Sequence, residues 1–147
     1  MVLNKIEKKF IVGVLDLAYF IACFDGDYTA EKNKAINMLK MEMDISYGLE
    51  NMNVPYEPHN TELNDILASL ESLRDSDKEK VMFEMTSLAS PTGKLSEKNE
   101  AILKQIAQVW GLEEFFKKQK RKGEEAAEIW DSIKDIEFWI KNLGGKD

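Results

Sequence analysis

The fold is decided by residues 17–39, LAYFIACFDGDYTAEKNKAINML, where an apolar run stops at Asp25-Gly26 and a second helical pattern follows. Asp-Gly is a turn-forming pair, and Thr29 is a suitable N-cap for the second helix. Upstream, apolar residues recur at three- and four-residue steps, which predicts a central helix that is apolar on nearly all sides. These residues are Ile6, Phe10, Val14, Leu17, Ile21 and Phe24. The stretch therefore predicts a helix, a tight loop and a second helix.

Residues 84–106, EMTSLASPTGKLSEKNEAILKQI, repeat this pattern at an offset of 67 residues, with Gly93 over Gly26. In this alignment Val14 corresponds to Val81, and Ile36 corresponds to Leu103. Two helical hairpins of this kind can bury their apolar stripes against each other. The sequence thus predicts two pseudo-symmetric helical hairpins, with chance similarity between two amphipathic hairpins as the alternative.

The remaining patterns are also helical. Irregular residues at 44–59 predict the longest loop, and a helix follows from Asn60 or Thr61. Ser76-x-x-Glu79 has the form of a capping box, Ser96 is a candidate N-cap, and Gly111 suits a helix end. Two further helical stretches are expected at 112–122 and 124–143, with one helix broken at Gly123 as the alternative. We expect an all-α fold, a single compact bundle of seven to eight helices over residues 1–147, with a core at 5–112 and an extension at 113–143.

Charge and composition narrow the class of partner and compartment. The formal net charge of −7 disfavours nucleic acid, whose binding depends on clustered basic residues. A single cysteine, Cys23, allows no intramolecular disulfide, so we expect a cytoplasmic protein. Lys5, Lys8 and Lys9 before the apolar run could imitate a signal peptide, but Asp16 interrupts that run and a buried first helix is the simpler interpretation.

The paired loops carry a family resemblance. A helix that ends in ACFDGDYT, and a later hairpin with LASPTGKLSEKNEAILKQIAQVWGL, resemble the tellurite-resistance TerB-like family, which includes a related domain of membrane-anchored J-domain co-chaperones. The resemblance covers roughly residues 5 to 112. It implies a pseudo-symmetric helical bundle, a non-enzymatic role in stress-response or membrane-associated complexes, and acidic loop residues that bind divalent cations. Thr92 and Lys94 depart from the acidic pattern of the first loop.

Asp25, Asp27 and Glu31 are the candidate metal ligands, with Ca²⁺ or Mg²⁺ as the expected ion. An EF-hand is excluded, because its loop needs Gly at position six and Glu at position twelve, where this chain has Ala30 and Ile36. A weaker oxygen-ligand site is one interpretation of the three acids. The other is a turn followed by acids that the helix dipole favours.

The C-terminal region offers a candidate surface for a protein partner, with Phe115, Phe116 and Trp139 as the binding residues. Five of the six residues from 117 to 122 are basic, and aromatic residues beside a basic run can also dock on an anionic membrane surface. The simpler interpretation is that an apolar stripe packs on the bundle and the basic run is solvated. That stripe comprises Ile129, Trp130, Ile133, Ile136 and Ile140.

No catalytic constellation is visible in the sequence. His59 is the one histidine and has no neighbouring ligand residues, so a surface position is expected. Asp16 lies within an apolar helix, where a buried unpaired carboxylate would be costly. We expect it to lie at the rim of the core or to be hydrogen-bonded, with a functional carboxylate as the alternative. We therefore expect a non-enzymatic binding module. The alternatives are a metal-dependent enzyme using Asp16 and Asp25, and a structural subunit of a larger assembly.

Overall fold

The chain forms a helical bundle around its first long helix. A computed structural model describes residue 3 and residues 5–43, 56–90 and 94–144, which hold one 3₁₀ turn at Lys8–Phe10, six α-helices and no strand. The all-α prediction is therefore confirmed for these residues. The helices are α1 (Ile11–Phe24), α2 (Ala30–Met43), α3 (Leu63–Ser69), α4 (Asp75–Ala89), α5 (Glu97–Trp110) and α6 (Glu113–Gly144).

Helix α1 is the centre of the core, as its apolar pattern predicts. It packs against α2, α3, α4 and α5, and Val14, Leu17 and Ala18 are fully buried. Gly13 lies where α1 meets α3, since a Cβ at this position would come within 2.6 Å of the Ser69 hydroxyl oxygen. One cluster of buried apolar side chains extends from Leu3 to Phe116.

The second helices of the two expected hairpins have corresponding bounds, because a shift of α2 by 67 residues gives the bounds of α5. Thr29 Oγ1 accepts from the Lys32 backbone N–H at 3.2 Å, and Ser96 Oγ accepts from the Asn99 backbone N–H at 3.2 Å, so both predicted caps are confirmed. Thr92 and Gly93, like residues 44–55 of the expected long loop, lie outside the described residues. The pseudo-symmetry of the hairpins stays a prediction.

Two local predictions were wrong. The described residues contain six α-helices rather than seven or eight, because α6 passes through Gly123 without a break. A glycine inside a helix costs only about 1 kcal/mol relative to alanine, and the neighbouring lysine, glutamate and alanine residues are good helix formers. The expected Ser76 cap does not form either, since α4 begins one residue earlier, after Arg74, without a side-chain cap.

The turn between α5 and α6 sets the direction of the last helix. Gly111 has φ 68°, the left-handed conformation predicted at this helix end, and the Leu112 N–H donates to the Ala107 carbonyl at 2.8 Å. Helix α6 then packs against α4 and α5. Lys120 Nζ lies 2.7 Å from Glu100 Oε1, and this pair raises the pKa of Lys120 and ties α6 to α5. None of the described helices combines the length and hydropathy needed to cross a membrane.

Candidate functional site

The first candidate site is the acidic loop at the end of α1, where Asp25 contacts the start of α5. Its Oδ2 accepts from the Ser96 hydroxyl at 3.2 Å and from the Asn99 amide Nδ2 at 3.0 Å. Its Oδ1 lies 3.6 Å from Lys32 Nζ, which also donates to the Asp27 backbone carbonyl at 2.9 Å. The Asp25 carboxylate is therefore occupied by hydroxyl, amide and ammonium donors.

Asp27 and Glu31, the other predicted metal ligands, are exposed near this loop. Within residues 5–43, 56–90 and 94–144, no three His, Cys, Asp or Glu side chains converge to hold a metal ion. Cation binding stays a prediction, and amide NMR tests it. A bound Ca²⁺ or Mg²⁺ would shift signals of residues 25–31 alone, whereas uniform shifts over all acidic faces would exclude this site.

Asp16 is a buried carboxylate, 1% exposed, whose two oxygens are both used. Oδ1 accepts from the Tyr56 hydroxyl at 2.5 Å and from the His59 backbone N–H at 3.0 Å, and Oδ2 accepts from the Asn60 backbone N–H at 3.0 Å. These bonds hold residues 56–60 against α1. Asp16 is thus the hydrogen-bonded acid that its apolar helix predicts, because a buried carboxylate needs such partners.

Asn33 extends this polar contact to α2. Its Oδ1 accepts from the Tyr28 hydroxyl at 2.6 Å and from the Tyr56 backbone N–H at 3.3 Å. Burial raises the pKa of Tyr28 to about 12, so its hydroxyl is a stable donor at neutral pH. The ammonium of Lys40 lies 5.1 Å from the centre of the Tyr56 ring. Tyr56 therefore connects α1, α2 and the segment that precedes α3.

The second candidate surface is an apolar groove of about 590 Å³ between α2 and α4. Its lining includes Met38, Met41 and Leu88, together with the carboxylates of Glu42 and Glu84. Burial, and then the nearby Glu42 carboxylate, raise the pKa of Glu84 above its ordinary value. Folding therefore makes Glu84 harder to ionise than it is in the unfolded chain.

The third candidate surface is the distal half of α6, which we define as residues 128–142. Every residue in this range is exposed. The expected packing of the apolar stripe on the bundle was therefore wrong, since the exposed fractions of Ile129, Trp130, Ile133, Ile136 and Ile140 run from 41% to 66%. The stripe remains uncovered because its isoleucines lie on the side of α6 away from Phe116 and Ala127, which are buried against the bundle.

A groove between α4 and α6 leads into this stripe. It has a volume of about 1080 Å³ and a partly apolar lining that includes Phe83, Phe115 and Trp130. Lysine side chains surround it, namely Lys94, Lys118, Lys122 and Lys134. Lys94 Nζ lies 3.3 Å from Asp131 Oδ2, and Lys134 Nζ lies 5.6 Å from the Trp130 ring centre. The groove thus combines an apolar floor with a basic rim.

The three predicted partner-binding residues occupy different environments. Phe116 is 3% exposed and belongs to the core, Phe115 is partly buried and lines the α4–α6 groove, and Trp139 is 67% exposed on distal α6. Of the three, Trp139 offers its side chain to a partner and Phe115 contributes to the groove. Partner binding by these residues stays a prediction.

Sequence reasoning missed two residues of these sites. Tyr56 and Asn99 are the partners of Asp16 and Asp25, at separations of 40 and 74 residues. Neither belongs to a local pattern that identifies its contact. The repeat supplied a partial signal for Asn99, since it lies at the position of Lys32 under the 67-residue offset, and both residues reach Asp25.

Comparison with known proteins assigns neither a family nor a function to this chain. No family model, no curated protein and no solved structure matches this chain.

Proposed function

We propose that this chain is a non-enzymatic, TerB-like helical interaction module that binds a protein through the distal half of α6. The observation that carries the proposal is the uncovered apolar stripe from Ile129 to Ile140. Exposed apolar patches of this extent on a folded domain mark interaction sites. The adjoining α4–α6 groove extends the surface toward the bundle.

The TerB-like assignment is supported by the resemblance of the two loops and by the all-α fold. The contact of Asp25 with Ser96 and Asn99 is consistent with it, because this contact joins the end of α1 to the start of α5, the helix that corresponds to α2 in the repeat. Membership of a stress-response or membrane-associated complex follows from the resemblance. The acidic loop has a structural role in this proposal.

A non-catalytic role is favoured because Asp16 and Asp25, the two carboxylates available for metal-dependent chemistry, already bind structural donors. They lie nine residues apart at the middle and the end of α1, about 13 Å along the helix axis. Two acids at that spacing do not share one metal ion.

Photo-crosslinking in the source cell tests the proposal. Ile136→p-benzoylphenylalanine places a crosslinker on the stripe, and Phe138→p-benzoylphenylalanine places it on the opposite side of the same helix. Both residues are exposed and apolar, at 59% and 68%, so they form a matched pair. We expect a protein adduct from position 136 and little from position 138. Equal adducts from both positions, or none, would contradict the proposal.

A further inference from the structure

The two halves of α6 carry opposite charge. Five of the six residues at 117–122 are basic, whereas residues 124–137 contain six acidic residues and one lysine. Two copies of this helix placed antiparallel would bring the basic half of each beside the acidic half of the other. Parallel placement would align like charges, which is unfavourable. The charges on α6 are therefore complementary to those on a second, antiparallel copy of the same helix.

The exposed stripe has the spacing of a helix–helix seam. Ile129, Ile133, Ile136 and Ile140 follow one another at steps of four, three and four residues, the repeat by which paired helices interlock. With Trp130 and Trp139, these side chains expose on the order of 700 Å² of apolar surface, close to the roughly 800 Å² that each partner buries in a stable interface. The stripe alone is therefore large enough for a stable contact between two chains.

We propose that a second copy of this chain covers the stripe, in an antiparallel and two-fold symmetric dimer. The distal half of each α6 lies on the α4–α6 groove of the other copy, with its acidic residues beside Lys118 and Lys122. This inference rests on the proposed function and specifies its partner. A two-fold interface uses the same surface on both copies, so groove and stripe must occur on one chain, as they do here.

The middle of α6 permits the close approach that this arrangement needs. Gly123 and Ala126 line the groove at the point where the charge of the helix changes sign. Small side chains there let a second helix cross near the two-fold axis. The net negative charge of the distal half also disfavours an anionic membrane as the occupant, because acidic residues are repelled by anionic headgroups.

Sedimentation analysis of the purified full chain tests the dimer. We expect twice the chain mass of 16.9 kDa for the wild type and for Phe138→Asp. Ile133→Asp/Ile136→Asp should raise the dimer dissociation constant by roughly thirtyfold or more, since buried interface anchors dominate affinity. Both substitutions fall on exposed positions, so circular dichroism should show the wild-type helical content.

Charge reversal tests the pairing. Lys118→Glu/Lys122→Glu should weaken the dimer. Adding Glu128→Lys/Glu124→Lys should restore it, because an antiparallel pair with its axis near Gly123 places these acids opposite Lys118 and Lys122. Failure of the second pair to restore association would overturn the antiparallel charge pairing. Added salt should raise the dissociation constant of the wild-type dimer only modestly. Salt screens the charge pairs, but the apolar seam does not depend on them.

Single cysteines in a Cys23→Ser background test the orientation. In the antiparallel dimer the two Ile140→Cys sites lie roughly 50 Å apart, so no disulfide forms between them. Gly123→Cys, near the axis, should be cross-linked by a short bismaleimide. Rapid oxidation of the Ile140→Cys variant to a linked dimer would overturn the antiparallel arrangement.

The crosslinker at position 136 separates this inference from the proposed function. An adduct of two copies supports both. A monomeric wild type that yields an adduct with a different protein overturns the second-copy inference and leaves the interaction module standing. A monomeric wild type that floats with phosphatidylglycerol vesicles and yields no protein adduct overturns both.

Discussion

The carboxylate of Asp25 accepts a hydrogen bond from the amide of Asn99, 74 residues later in the chain, at 3.0 Å. Asp25 ends α1, and Asn99 lies in the first turn of α5, next to the Ser96 cap. A bond between these two residues joins the C-terminal end of α1 to the first turn of α5. The acid that most resembles a metal ligand in the sequence therefore has a structural role in the fold.

Asp25→Ala should lower the free energy of unfolding by about 1 kcal/mol, because it removes two hydrogen bonds and a partly exposed ion pair. Urea denaturation measures this change. Asp27→Ala is the matched control, since Asp27 is exposed and contributes its backbone carbonyl to Lys32. Equal effects of the two substitutions would refute the structural role of Asp25.

Asp16→Ala should be far more damaging, at about 3 kcal/mol, because it leaves the Tyr56 hydroxyl and two backbone N–H groups without their acceptor. Tyr56→Phe removes one of these donors and should cost about 1 kcal/mol. Denaturation midpoints of both variants can be compared with Asp65→Ala, which changes an exposed acid of α3. A mild effect of Asp16→Ala, no larger than that of the control, would show that residues 56–60 are held in another way.

Gly13→Ala should destabilise the fold by roughly 1 to 2 kcal/mol, because the new Cβ would lie 2.6 Å from Ser69 Oγ and 2.7 Å from Leu70 Cδ2. The gain in helix propensity offsets part of this overpacking. Gly26→Ala is the comparison, since a Cβ at that position meets nothing within 4 Å. If thermal unfolding shows Gly13→Ala to be as stable as Gly26→Ala, then α1 and α3 are not in close contact.

Glu84→Gln should stabilise the chain at neutral pH. The pKa of Glu84 is raised in the folded state, so folding favours its protonated form. The contribution of protonated Glu84 to the free energy of unfolding is fully present below the pKa of this residue in the unfolded chain, near 4.5. It is lost as the pH rises through the higher pKa of the folded chain. The advantage of Glu84→Gln in melting temperature should therefore shrink as pH falls toward 4.5.

Glu79→Gln, at an exposed position of α4, is the control for this pH series. The opposite trend would be a melting-temperature advantage of Glu84→Gln over the wild type that grows as the pH falls. That result would contradict the burial of this carboxylate.

The sequence predicted the features that depend on residues within a few positions of one another. Three of them are found in the structure, namely the buried apolar helix α1, the caps at Thr29 and Ser96, and the left-handed Gly111. The Ser76 cap was wrong because the first turn of α4 begins at Asp75, one residue before the expected box.

The contacts that define the candidate sites depend on tertiary structure. Tyr56 reaches Asp16, and Asn99 reaches Asp25, only after distant helices have packed together. The periodicity of the stripe at 129–140 identified an apolar face on α6, but periodicity does not say what covers that face. Its exposure follows from its position on the side of α6 away from the buried Phe116 and Ala127.

The most direct test of the uncovered stripe is the solvent access of Trp139 in dilute protein, measured by acrylamide quenching. Trp110→Phe/Trp130→Phe leaves Trp139 as the sole tryptophan of the chain. We predict quenching close to that of a free indole at low concentration, with protection that appears as the concentration rises. Strong protection of Trp139 in the dilute monomer would contradict the interaction surface, because the chain would then cover the stripe by itself.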